Sequence, residues 1–175
     1  KPTECSGRFS PLAVGGLAVS PRIGTWNARG LLCHDPIVRA NKLKTLRAQM
    51  QISDFLAVQE THALEGPGNS QFHSVRQNHS VFSAWATGAA AGGVIIFVRK
   101  SIAARCQVEC EILVAARIVR VCLSGPTFVL WLWGIHNHDI PGSTARRIGR
   151  ILRSSLTSTS RDGRPQGVYI MGDFN

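Results

Sequence analysis

Residues 23–60 read IGTWNARGLLCHDPIVRANKLKTLRAQMQISDFLAVQE. The apolar-aromatic run Ile23–Asn27 ends on a polar side chain and predicts a strand. Pro36 opens a stretch in which Ile37, Leu43, Leu46 and Met50 recur on one face while Arg39, Lys42, Lys44 and Arg47 fill the other, which predicts a helix. Phe55–Gln59 is a continuous apolar run closed by the carboxylate of Glu60, and predicts a second strand. Strand, helix and strand at this spacing make a βαβ-like opening, so the chain begins as an α/β fold. Whether the two strands are parallel neighbours is open at this point.

Downstream, Gly66-Pro67-Gly68-Asn69 predicts a loop. Strands are expected at Val81–Ala86, Gly93–Lys100, Gln107–Val114, Arg117–Ser124 and Phe128–His136. Glu109, Glu111, Arg117 and Arg120 interleave with Val108, Cys110, Ile112, Ile118 and Val121, as in half-exposed antiparallel strands. A helix capped by Ser143 or Thr144 follows, with Ile148, Ile151, Leu152 and Leu156 on one face and Arg146, Arg150 and Arg153 on another. Ser154–Pro165 reads as a loop and Val168–Met171 as a buried strand. No repeat or composition break divides the chain.

A length of 175 residues suits one domain, and 44% hydrophobic residues with mean hydropathy +0.04 exclude a wholly disordered chain. Twenty Lys and Arg against 10 Asp and Glu leave a net charge of +10. That balance suits a polyanion such as nucleic acid, or an anionic surface; a basic protein with no such partner stays open. The longest apolar run, Phe128–Ile135, falls well short of the roughly 20 residues a bilayer helix needs, so no membrane partner is expected. Residues 1–21, including PLAVGGLAVS at 11–20, read as a poorly ordered N-terminal tail, and a chain starting at Lys1 reads as a fragment. Cysteines stand at 5, 33, 106, 110 and 122; the odd count without a CxxC pair argues against a disulfide framework. Cys106 and Cys110 are expected to pack as small hydrophobes on one face, and a reducing, intracellular compartment is the default.

Asn27, Glu60, His136, Asp173 and Asn175 each lie at the carboxyl end of an apolar run, where α/β sheets build their sites. Singly, each has a plain alternative: Asn27 as a turn residue, His136 as a satisfied loop histidine, Glu60 as a solvated strand end. Together they suit one reaction. Glu60 is a hard oxygen ligand for Mg²⁺. Asp173 accepts the proton of an attacking water that Asn175 helps orient. Asn27 offers a neutral hydrogen bond, and His136 donates to a non-bridging phosphate oxygen as charge builds. Metal, base and donors without a nucleophilic Ser or Cys point to hydrolysis of a phosphoester by water.

The segments TWNARGL (25–31), LAVQETH (56–62), GGVIIF (92–97) and MGDFN (171–175) occur in an order that resembles the endonuclease/exonuclease/phosphatase superfamily. Within it, the WNARGL and QETH wording is most similar to the apurinic-type endonuclease domain of non-LTR (LINE-like) retrotransposons. The resemblance covers residues 23–175 and implies a four-layer α/β sandwich of two mixed sheets flanked by helices. It implies Mg²⁺- or Mn²⁺-dependent cleavage of phosphodiesters in DNA. By motif, Asn27 contacts phosphate or metal, Glu60 is the principal metal ligand, Asp173 positions or deprotonates the water and Asn175 assists. The strand-end position occupied by His136 is a Tyr in apurinic-type members and a His in pancreatic-deoxyribonuclease-like ones, so abasic-site specificity does not follow.

Family members continue past GDFN to a Ser-Asp-His-type motif that these 175 residues lack. The resemblance therefore reads residues 22–175 as an incomplete domain whose C-terminal part is missing, with Val168–Phe174 as an unprotected edge strand and weak or no catalysis alone. It names that missing segment, or a reverse transcriptase domain of a longer parent protein, as a partner, and implies nuclear access. An inositol or lipid phosphatase of the same superfamily, and a non-catalytic nucleic-acid-binding remnant, are the rival readings. Arg146, Arg147, Arg150, Arg153, Arg161 and Arg164 either track a nucleic-acid backbone or form a solvated face. The resemblance places their helix outside the sandwich, away from the catalytic rim.

Overall fold

The computed structural model describes residues 12–14, 17–19, 21–88, 92–157, 160 and 163–174. The elements run β1 (Leu12–Val14), β2 (Leu17–Val19), β3 (Ile23–Asn27), α1 (Pro36–Ile52), β4 (Phe55–Gln59), α2 (Glu65–Gln71), a 3₁₀ turn at Val75–Gln77 and β5 (His79–Ala84). They continue through β6 (Val94–Arg99), α3 (Lys100–Ala103), β7 (Gln107–Val114), β8 (Ile118–Ser124), β9 (Val129–His136), α4 (Gly142–Thr157) and β10 (Gln166–Asp173).

The opening unit forms as its residues dictate. The Asp35 carboxylate accepts hydrogen bonds from the Ile37 and Val38 amides at 2.8 and 3.0 Å, and Pro36 occupies the first helical position, where its missing N–H costs nothing. Helix α1 then returns the chain so that β3 and β4 pair in parallel, Asn27 opposite Gln59. The order in this sheet is β3-β4-β6-β5, with β6 antiparallel to both neighbours. A second mixed sheet has the order β10-β9-β8-β7, in which only β9 and β10 are parallel. Among the described residues β10 has one sheet partner, β9, and so forms an edge.

Alternation along the strands builds the layers. Ala57, Val94, Ile96 and Val98 face the second sheet and pack on Val121, Leu130 and Leu132. Leu56, Val58, Ile95 and Phe97 point the other way, onto Leu46, Met50 and Phe72. Trp133 and Ile135 of β9 project outward beneath Ile148 of α4. Each such buried aliphatic side chain contributes roughly 1.5–3 kcal/mol of transfer free energy. The sheets approach closely at Gly134, where a Cβ would meet Val94 Cγ1 at 2.9 Å. The result is helix, sheet, sheet, helix: the four-layer sandwich of two mixed sheets.

Several local expectations change. Residues 66–69 form part of α2 instead of a loop, because Phe72 is fully buried at its end and Gly68 lies flat against the Trp85 ring, where a Cβ would stand 2.5 Å away. Tertiary packing thus overrides weak propensity. Helix α4 starts at Gly142, so Ser143 and Thr144 lie inside its first turn rather than capping it. It also runs to Thr157, into the stretch read as a loop, with the Ser154 and Ser155 hydroxyls folded back onto the Ile151 carbonyl at 2.7 and 3.0 Å. Arg117 precedes β8, and β10 is longer than expected. Cys106 packs against the inter-sheet core, whereas Cys110 is exposed on β7. Of the segment read as a tail, β1 and β2 pair as a short antiparallel hairpin; residues 1–11, 15, 16 and 20 lie outside the described ones.

Candidate active site

Two parallel strand pairs, one in each sheet, end at the same rim. In the first sheet β3 and β4 deliver Asn27 and Glu60; in the second, β9 and β10 deliver His136 opposite Asp173. The Asn27 amide joins the sheets: its Nδ2 donates to Glu60 Oε1 at 2.8 Å and to Asp173 Oδ2 at 2.5 Å. Its Oδ1 accepts the Arg29 amide at 3.0 Å, which turns the NH₂ group toward the two carboxylates. Glu60 sits at φ +50, a left-handed conformation uncommon for a non-glycine residue. Its carbonyl accepts the Gly30 and Leu31 amides at 2.7 and 3.3 Å, so the loop after β3 holds that conformation.

His136 is buried, with its Nε2 at 3.3 Å from Glu60 Oε1 and its Nδ1 at 2.9 Å from an Arg117 guanidinium nitrogen. Arginine keeps its protons, so it donates and Nδ1 accepts. The imidazole is thereby a neutral ring carrying its proton on Nε2, the nitrogen 3.3 Å from Glu60 Oε1. Burial lowers the His136 pKa and the Arg117 charge lowers it further, against opposing contributions from Glu60 and Asp173. The ring stacks on His138, centroids 5.8 Å apart.

Ligand atoms of Glu60, His136 and Asp173 all lie within 4.8 Å of one another, close enough to hold one metal ion. With Nε2 protonated, the donors that remain are two carboxylates, a hard oxygen set that fits Mg²⁺ or Mn²⁺ better than a soft, thiolate-seeking ion. Four of the five expected site residues therefore meet; Asn175 lies outside the described residues. Arg117 is the member that the sequence does not announce. It reaches His136 because β8 and β9 pair with Ile118 opposite Ile135 and the His136 amide bonds the Arg117 carbonyl at 2.9 Å.

Residues 24–175 match the Endonuclease/Exonuclease/phosphatase family, and that span contains all of this rim. The chain belongs to that family. No curated protein sequence matches it. Among solved structures, this endonuclease/exonuclease/phosphatase chain is similar to AP endonuclease LMAP from Leishmania major, at TM-score 0.62 and 16% identity over 85% of this chain and 53% of that one. It is similar to D. rerio TDP2 complexed with single-strand DNA product, at TM-score 0.53 and 20% identity over 85% and 58% of the two chains. It is also similar to the 3′ phosphatase NExo from Neisseria bound to product DNA hairpin, at TM-score 0.54 and 17% identity over 89% and 58%. At these identities the likeness shows the shared sandwich. The chain spans little more than half the length of each of these structures.

Proposed function

We propose that this chain carries the metal-holding and water-activating centre of a divalent-metal-dependent phosphodiester hydrolase, a DNA endonuclease of non-LTR retrotransposon type. The observation that supports it most is the meeting of Asn27, Glu60, His136 and Asp173, delivered by two separate sheets, at one rim. Glu60 is the principal ligand for Mg²⁺ or Mn²⁺, with Asp173 beside it. Such an ion, when bound, neutralises charge on a phosphate oxygen. Asp173 accepts the proton of the attacking water, and Asn175 assists in orienting it. Asn27 holds both carboxylates in register through its NH₂ group. His136, neutral and protonated on Nε2, donates that N–H to a non-bridging oxygen as negative charge develops there. None of the four supplies a hydroxyl or thiol, so water is the nucleophile. The retrotransposon assignment draws on the WNARGL and QETH segments, and the net charge of +10 favours a polyanion over an inositol or lipid phosphate. A DNA substrate also calls for nuclear access.

The test is plasmid nicking by the chain with Mg²⁺ or Mn²⁺, beside EDTA and the Asp173→Asn variant, with a phosphoinositide as the competing substrate. Nicking that needs both metal and Asp173 supports the reading. Phosphate release from the phosphoinositide without nicking moves it to a phosphatase. DNA binding with no metal-dependent cleavage moves it to a binding module.

A further inference from the structure

Helix α4 carries four arginines and no acidic residue. Arg146, Arg150 and Arg153, at i, i+4 and i+7, share one face of the helix. That face lies opposite Ile148, Ile151 and Leu152, which pack toward Trp133 and Ile135. All three arginines are exposed, and Arg147 at the flank reaches back to the Leu113 carbonyl at 3.4 Å.

The position of this face is as telling as its charge. α4 begins six residues after His136, and the intervening loop is tied to the rim: the Asn137 amide donates to the Asp173 carbonyl at 3.0 Å and His138 stacks on His136. Since α4 links the parallel strands β9 and β10, it must run back from the rim along the outside of the second sheet. The helix is outside the sandwich as expected, and the loop that leads into it is tied to the rim through Asn137 and His138.

We propose that the Arg146–Arg150–Arg153 face of α4 is a second nucleic-acid contact surface, gripping the phosphodiester backbone of duplex DNA that flanks the strand held at the rim. The choice of DNA rests on the function proposed above. Along the axis the three arginines span about 10 Å, at ~1.5 Å per residue, a length over which a duplex presents about six phosphates. Guanidinium groups suit this partner because their planar forks bond phosphate oxygens in pairs.

The experiment measures binding of a fluorescent DNA duplex against salt concentration in EDTA, so that cleavage plays no part. The R146Q/R150Q/R153Q variant is compared with R47Q/K100Q/R105Q, which removes the same charge from exposed positions at the opposite pole. Losing three phosphate contacts lowers the slope of log K against log salt by about three. The proposal expects this for the α4 variant and little change for the other, with unchanged melts for both. Equal losses in the two variants reduce the effect to net charge and overturn it, as does an unchanged slope in the α4 variant. Absence of duplex binding by the parent chain overturns it as well. Mn²⁺ binding by calorimetry, measured separately, reads the Glu60–Asp173 rim without DNA and is the same in the parent and both variants, so failure here is distinguishable from failure of the catalytic reading.

Discussion

Arg117 donates to Nδ1 of His136 at 2.9 Å, and this one bond decides which imidazole nitrogen carries the proton. A carboxylate in the place of Arg117 would accept from Nδ1 and favour a charged ring. The guanidinium does the reverse and keeps the ring neutral with its proton on Nε2, 3.3 Å from Glu60 Oε1. Arg117→Ala is therefore expected to raise the His136 pKa, by removing the second largest influence that lowers it. Imidazole ¹⁵N NMR on parent and variant reads both tautomer and titration. Nicking should fall by roughly 10–100-fold as the donor loses its fixed orientation. A His136 titration unchanged in the variant would sink the tautomer argument.

Glu60→Gln keeps the size of the side chain and removes its charge. We expect loss of Mn²⁺ binding by calorimetry and a drop of at least about 100-fold in nicking. The melting temperature should change by only a few degrees, because a strand-end carboxylate facing another carboxylate contributes little to folding. Undiminished Mn²⁺ affinity in the variant would remove Glu60 from its role as ligand.

Asn27→Asp replaces the shared donor with a third negative group beside Glu60 and Asp173. Like-charge crowding and two lost hydrogen bonds should cost about 1–3 kcal/mol by chemical denaturation at neutral pH. Added Mg²⁺ should recover part of that loss in the variant, since a cation relieves the repulsion. A deficit that is insensitive to Mg²⁺ would argue against a cation site between these side chains.

Asp54, at the pole opposite the rim, accepts from the Arg22 amide and from Arg99 Nε, both at 2.9 Å. Burial raises its pKa, but the Arg22 and Arg99 contacts outweigh that and leave it below the ordinary 3.8. The unfolded chain thus takes up this proton first as pH falls. The stability due to Asp54 is present above about pH 4 and is lost as pH drops through the lowered folded value. Asp54→Asn should cost about 1–3 kcal/mol at pH 7 and flatten the acid limb of the stability profile. Urea melts at pH 7 and in the acid range check both; an acid limb as steep as the parent's would assign it to other carboxylates.

The opening β3-α1-β4 unit is legible in the sequence because its signals are local. The Asp35 cap, Pro36 at the first helical turn and the unbroken apolar run at Phe55–Val58 act within a few residues of themselves. The α2 turn is not legible for the opposite reason. Gly66, Pro67, Gly68 and Asn69 favour a loop on propensity, and the helix exists because the Trp85 ring and the Phe72 pocket, supplied by distant chain, receive it.

The same division runs through the site. The sequence by itself determined that Asn27, Glu60, His136 and Asp173 stand at strand ends, because each closes an apolar run whose register is set by neighbouring residues. That these ends meet was decided only by the tertiary structure. Parallel pairing in each sheet puts β3 beside β4 and β9 beside β10, and packing of the sheets face to face brings Asn27 to Asp173, 146 positions apart. Arg117 shows the limit most clearly: as a sequence position it is one more cation beside a strand. It becomes the partner of His136 because the β8–β9 register closes a cross-strand contact, and no local pattern encodes the distance between residues on different strands.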